Sequence, residues 1–292
     1  GTGIAAGDFS SGALTGSGTI SSNTFSFSHT IANDNTTEGN ETLNIKFYSD
    51  SGRTTQVGTL TGLTINDTSL TVEQYSVLFN QNNNDNYNEE FLYINSSDFA
   101  AGTGDFQAEC FFRPTGQNSY NSIIGTRNTT GNNENGWSLG WYSSGLYVYS
   151  DGFHVSGGGS ISTNQWHHAA VTRVSGTLKI YLDGTLVDTK TGHNYNYTAS
   201  IFNIGKDGLD CSYGCQSFRG YISNVRFIKG SVTYTSNFTP TTSPLSATSQ
   251  GATSSDVKLV ALQNANILSS TVGSNLTAGP EGGGASSTLD PF

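Results

Sequence analysis

Residues 165–188, QWHHAAVTRVSGTLKIYLDGTLVD, set a tryptophan beside two adjacent histidines, the side chain that most often holds a metal or moves a proton near neutral pH. A second group lies in KDGLDCSYGC. There Asp207 and Asp210 offer oxygen ligands suited to Ca2+, the one cofactor these residues raise, while a solvated turn accounts for the same pair. Cys211 and Cys215 are spaced for a short-loop disulfide of the kind an oxidising exterior allows, and Cys110 is left as a buried thiol. A third group is acidic. Glycoside hydrolysis needs two carboxylates about 5–9.5 Å apart across one sugar bond. Glu109 stands alone between Ala108 and Cys110, and Glu89 and Glu90 diverge if they lie on a strand. No phosphate-binding glycine loop, serine nucleophile elbow or zinc-spaced Cys/His cluster is present, so no catalytic residue is assigned and a non-enzymatic protein is expected.

Aromatic side chains are the stronger lead, because rings stack on the apolar faces of sugars with little loss of conformational entropy. Trp141, Tyr142, Phe153, His154 and Tyr213 fall near expected loops and form the candidate glycan or partner surface. Trp137 and Trp166 are expected in the core, and Tyr147 and Tyr149 share one strand face.

These residues must be held by strands, since helical periodicity is nearly absent and short alternating runs are broken by Gly, Asn, Asp and Ser. Phe25 and Phe27 alternate with serines, and Leu43, Ile45 and Phe47 share a face. YSVLFN, EFLYI, DFQAECFFRP, SIIGTR, GWSLGWY and GLYVYSD follow as further strands, spaced as in a sandwich. HHAAVTRV turns at Ser175-Gly176 into TLKIYLD, and Asp183-Gly184 makes a two-residue type I′ turn into TLVDTK. Neighbours on a strand point to opposite faces, so His167 and His168 cannot ligate one metal together. In FRGYISNVRFIKG, uniform alternation puts Tyr221, Ser223, Val225 and Phe227 on one face. VKLVALQ adds a last strand, and the Ser/Gly-rich end GPEGGGASSTLDPF reads as an extended tail that orders only against something else.

Composition bounds the partners. Twelve basic residues against 22 acidic ones give a net charge of −10 with no basic run, so binding driven by phosphate neutralisation is excluded and no nucleic-acid partner is expected. No apolar stretch approaches the roughly 20 residues that span a bilayer, so membrane insertion is not expected.

SVLFN, DFAAGTGDFQAECFFRPT, GWSLGW, STNQWHHAAVTR, LKIYLDGTLV, FNIGKDG and FRGYISNVRFIKGSVTYTSNFTPTTSPL, taken in order, resemble a laminin G-like, concanavalin A-like lectin domain. NDNTTEGNETLNIKFYSDS and LTINDTS resemble the C-terminal part of a Calx-beta-like domain, with the upstream strands and acidic Ca2+ ligands of that domain absent and a missing strand open to donation by a neighbouring chain. Tandem pairs of this kind resemble virion structural proteins of tailed bacteriophages, many of them marine cyanophages. The resemblance implies an all-β chain, an immunoglobulin-type β-sandwich fragment over residues 1–70 followed by a jelly-roll over 71–245, with a strand and tail over 246–292. It implies a fibre, spike or capsid decoration at the virion surface, outside the cell. Its partners would be other virion subunits, further copies of itself and a host-surface glycan. The alternative is a carbohydrate-binding, lectin-like module of a cell-surface or secreted adhesin.

Overall fold

The structure is a computed structural model. It describes residues 6, 9, 11–22, 24, 30, 41–65, 74–80, 90–116, 120–128, 135–142, 145–150, 153–156, 158–208, 216–280 and 282–292, with the side chains of 65 and 153–156 outside the description. The run holding Phe25 and Phe27 lies outside the described residues. The chain divides into two compact units, Gly1–Glu73 and Gln74–Phe292.

In the first unit, β1 (Glu41–Tyr48) and β2 (Gln56–Ile65) form an antiparallel pair. Leu43 opposes Leu63, Ile45 opposes Leu60 and Phe47 opposes Gly58, so the expected apolar row is one face of this ribbon. Asp50 closes the connection by accepting from the backbone of Thr54 and Thr55.

The second unit is a sandwich, and its described strands form two antiparallel sheets. The first sheet runs β12 (Thr185–Lys190), β11 (Thr177–Leu182), β10 (His167–Val174), β5 (Phe106–Pro114), β14 (Gly220–Lys229), β15 (Val257–Ala261) and β16 (Ser270–Val272), with β3 (Ser76–Phe79) also on β14 and β18 (Ala285–Ser287) on β3. The second runs β17 (Thr277–Ala278), β4 (Leu92–Asn95), β13 (Ile201–Ile204), β6 (Asn121–Gly125), β7 (Trp137–Tyr142), β8 (Gly145–Ser150) and β9 (Phe153–Ser156). The all-β expectation is met. No described helix is long and apolar enough to cross a membrane.

Alternation explains the core. Phe106, Ala108, Cys110 and Phe112 of β5 point inward beside Trp137, Leu139 and Trp141 of β7. Phe106 stacks on Trp137 with ring centres 5.2 Å apart, and Phe99 meets Phe202 at 5.1 Å. Both hairpin turns form as read, with positive φ at Ser175 and Gly176 and again at Asp183 and Gly184 (50° and 76°).

Two expectations are corrected. The alternation in β14 breaks at Asn224, which adopts φ 51° and interrupts the register between Ser223 and Arg226. The inward set is therefore Ile222, Val225 and Phe227, and Tyr221 and Ser223 face out. Asn224 suits the bulge because asparagine tolerates a left-handed backbone, and its Oδ1 accepts from the amide of Leu245 at 2.9 Å. The residues after 245 are also part of the second unit, since β15 through β18 add to both sheets.

Candidate functional site

The histidine pair separates as the strand period requires. His167 Nδ1 donates to Asp183 Oδ2 (2.8 Å) and its Nε2 lies against the Ser162 backbone, while His168 turns to the opposite face and meets Glu109 Oε2 at 3.0 Å. The bond to Asp183 raises the His167 pKa above its ordinary value near 6.5, against the opposing effect of burial. A raised folded-state value means that this contribution to stability is complete below about pH 6.5 and disappears as pH rises through the folded-state value. Asp183→Asn is expected to flatten the fall in melting temperature above that pH, as scanning calorimetry from pH 5 to 9 would read.

Glu109 lies on the outward face of β5, yet it is fully buried. Arg226 Nε donates to Oε1 at 2.8 Å, Gln107 Nε2 to the same oxygen at 2.8 Å, and the Tyr234 hydroxyl to Oε2 at 2.8 Å. Tyr234 stacks on Phe238, with ring centres 3.5 Å apart, and Gln107 Oε1 accepts from the amide of Thr233. The segment from Ser231 to Gly251 is thus tied to the sheet as a strap through the buried Gln107–Glu109–Arg226 group. Burial pushes the carboxyl up, but the His168 hydrogen bond and the Arg226 charge outweigh it and hold it at about 2. Glu109 is a structural anchor.

The second sheet carries the exposed aromatic surface. Trp137, Leu139 and Trp141 of β7 point inward, so Ser138, Gly140 and Tyr142 point out. Trp141, expected near a loop surface, is instead 1% exposed in the core and offers no ring face to a ligand; Tyr142 is 48% exposed. Tyr142 stacks on Tyr120 with ring centres 4.5 Å apart and planes 17° apart, and Tyr147 meets Tyr120 edge-on at 5.7 Å. Tyr147 lies flat over Gly140, its cross-strand partner, where an added Cβ would stand 2.6 Å from the hydroxyl. Its hydroxyl donates to Gln216 Oε1 at 3.2 Å. Next along β8, Tyr149 carries the Arg127 guanidinium 4.1 Å above its ring, and Arg127 pairs with Asp207.

Asp207 is therefore buried against a guanidinium, and burial pushes its carboxyl up to about 6 despite Arg127. Asp210, Cys211, Tyr213 and Cys215 lie outside the described residues. Phe153 and His154 are paired in β9 with Ser150 and Tyr149, their side chains outside the description. Among the described residues no three His, Cys, Asp or Glu side chains group to hold a metal. Trp166, expected in the core, is half-buried and faces Tyr221, ring centres 6.4 Å apart. Cys110 is a buried free thiol.

Residues 84–236, just over half of the 292, match the family model Laminin_G_3 of the concanavalin A-like lectin/glucanases superfamily. The chain belongs to that family. Among solved structures it resembles a candidate carbohydrate-binding protein of Bacteroides ovatus, 17% identical with a TM-score of 0.53, over 74% of this chain and 60% of that one. The chain thus spans 60% of that protein's length, and at this identity the likeness is one of fold. Weaker likenesses are to the heptameric SAP-like pentraxin of Limulus polyphemus (14% identity, TM-score 0.43, 72% of this chain and 96% of that) and to domains LG4-5 of the mouse laminin alpha1 chain (14%, 0.40, 59% and 46%). No curated protein matches the chain.

Proposed function

We propose that the second unit is a non-catalytic carbohydrate-binding module, displayed outside the cell, whose ligand rests on the outward face of the β6–β7–β8 sheet. The observation that carries this reading is the exposed Tyr142 ring backed by Tyr120. Two stacked rings held by a third form a rigid apolar plate, the surface that the C–H face of a sugar ring fits. The fold neighbour from Bacteroides ovatus, described as carbohydrate binding, supports the same assignment. Glu109 is sealed under the strap on the opposite sheet, so it is not placed to act on a ligand resting on this plate.

Display on a phage particle, expected from the order of the two sequence regions, gains no support from the family match or the fold neighbours, so glycan binding stands ahead of a purely structural virion role. The test is a glycan array probed with the intact chain. Saturable binding of at least one oligosaccharide, with no reducing ends released on prolonged incubation, is the expected result; no binding at millimolar concentration overturns the reading.

A further inference from the structure

We infer that the outward face of the first sheet carries a second binding site, centred on Arg113 between Trp166 and Tyr221, for a saccharide that bears a carboxylate. The site lies on the sheet opposite the tyrosine plate and stands independently of it.

Strand register assembles the site. Arg113 of β5 pairs with Tyr221 of β14, and His167 pairs with Phe112, so Trp166, the residue before β10, falls beside Arg113. Phe112 and Ile222 point into the core, so their neighbours Arg113 and Tyr221 point out. Leu78 of β3 extends the row beyond Tyr221. All four side chains are half-buried, and each keeps part of its surface open to solvent. The two rings come from the strands on either side of β5, yet their centres are only 6.4 Å apart.

A guanidinium held between them is prepared for an anion. Its carbon stands 5.6 Å from the centre of the Tyr221 ring, and its Nε donates to the Asn164 carbonyl at 3.1 Å. These contacts fix the plane of the fork and leave its two Nη groups, which bond to nothing among the described residues. The ion pairs of the described residues use Arg127, His167, His168 and Arg226, and Arg113 is in none of them. A carboxylate is the group that a pair of guanidinium donors fits. Arg219, also outside those pairs, lies over Gly116 just ahead of β14 and is the other guanidinium near this end of the sheet.

The rings decide what carries the carboxylate. Trp166 and Tyr221 offer apolar surface to the C–H face of a pyranose. The Trp166 indole N–H is shielded from water and meets no acceptor, an unfavourable state that a ligand oxygen relieves. A sugar acid holds ring and carboxylate at one fixed separation, so rings and fork engage it together at little cost in entropy, whereas an acidic peptide reaches the fork on a freely rotating side chain. The net charge of −10 opposes long polyanions, so the fitting ligand carries one carboxylate or a few.

The experiment titrates the intact chain with sialyllactose, with trigalacturonate, with the methyl ester of each and with a tri-glutamate peptide, following the indole N–H resonances. Of the three tryptophans, Trp137 and Trp141 are buried in the core, so the Trp166 resonance, assigned through Trp166→Phe, reports this site. Saturable movement of that resonance by at least one sugar acid, with its ester bound about ten-fold or more weaker, is the expected result. Arg113→Gln should weaken the acid about ten-fold and Arg113→Lys should recover only part of the loss, both variants melting with the parent. Equal movement by acid and ester, or binding that survives Arg113→Gln and is lost in Arg219→Gln, overturns the Arg113 fork as the anion site. Movement by the peptide alone overturns the saccharide as its ligand, and no movement with any probe at about 10 mM overturns the site itself.

Discussion

Glu109→Gln is expected to lower the melting temperature of the second unit by about 10 °C while leaving glycan binding unchanged. The carboxylate accepts from Arg226, Gln107, His168 and Tyr234, and every one of these groups is removed from water. A glutamine keeps the shape but presents an NH2 group to donors and removes the charge opposite a fully buried guanidinium. Breaking a buried pair from one side costs about 3–5 kcal/mol. The acidity of Glu109 points to the same scale by a separate route. A fall from an ordinary value of 4.5 to about 2 corresponds to about 3 kcal/mol of preference for the folded state. Because the folded value is depressed, that contribution is present above about pH 4.5 and is lost as pH falls from there towards 2. The gap between parent and variant should therefore narrow on acidification, a trend that chemical denaturation at pH 7, 4 and 3 would read. Equal stability of the two proteins at pH 7, together with loss of a glycan-cleaving activity, would instead make Glu109 a catalytic acid.

The sequence exposes the strand series and both hairpin turns because each rests on a local signal, alternation or a two-residue turn. The separation of His167 and His168 follows from the strand period alone. The Glu109 anchor is illegible for the opposite reason. Apart from Gln107, two positions away, its partners stand 59, 117 and 125 positions away in the chain, and only the strap that follows β14 brings Tyr234 over the sheet. Trp141 and Tyr142 show how a one-residue phase decides function. Trp137, Leu139 and Trp141 form an inward row that already leaves Tyr142 outside, and a stricter reading of that alternation would have separated the two. Tyr120 had no such signal, since it precedes β6 and becomes a plate residue only through the pairing of β6 with β7. The bulge at Asn224 is hidden because one left-handed asparagine inside an apolar run leaves the residue pattern looking regular.

Glycine content misleads most at the C-terminus, where composition suggests a loose tail and the structure shows a clasp. The chain passes from β17, beside β4 on one sheet, to β18, beside β3 on the other. The glycines between them serve close approach. A side chain at Gly279 would collide with the Phe91 ring, and one at Gly283 would stand 2.5 Å from Leu92. Gly284, at φ 86°, brings the backbone so near β3 that a Cβ would lie 2.6 Å from the Leu78 carbonyl. Beyond it Ala285 pairs with Leu78 and Ser287 with Ser76, the Ser76 hydroxyl donates to the Leu289 carbonyl, and the Phe292 ring meets Phe111 edge-on at 5.0 Å. Removing residues 285–292 is accordingly expected to uncover Phe111 and leave β3 with an unpaired, apolar edge. Loss of the Phe292–Phe111 contact and of the short ladder should cost about 2–3 kcal/mol, a drop of about 5–10 °C in melting temperature. The bared edge of Ser76, Val77 and Leu78 is a template for another chain, so the truncated protein should also associate with rising concentration in light scattering. Gly284→Val should reproduce part of both effects without shortening the chain, because the clash falls on backbone that cannot rotate away. If the shortened protein melts within a degree of the parent and keeps its size, the last eight residues contribute nothing to the sheet, and the glycines before them are spacing after all.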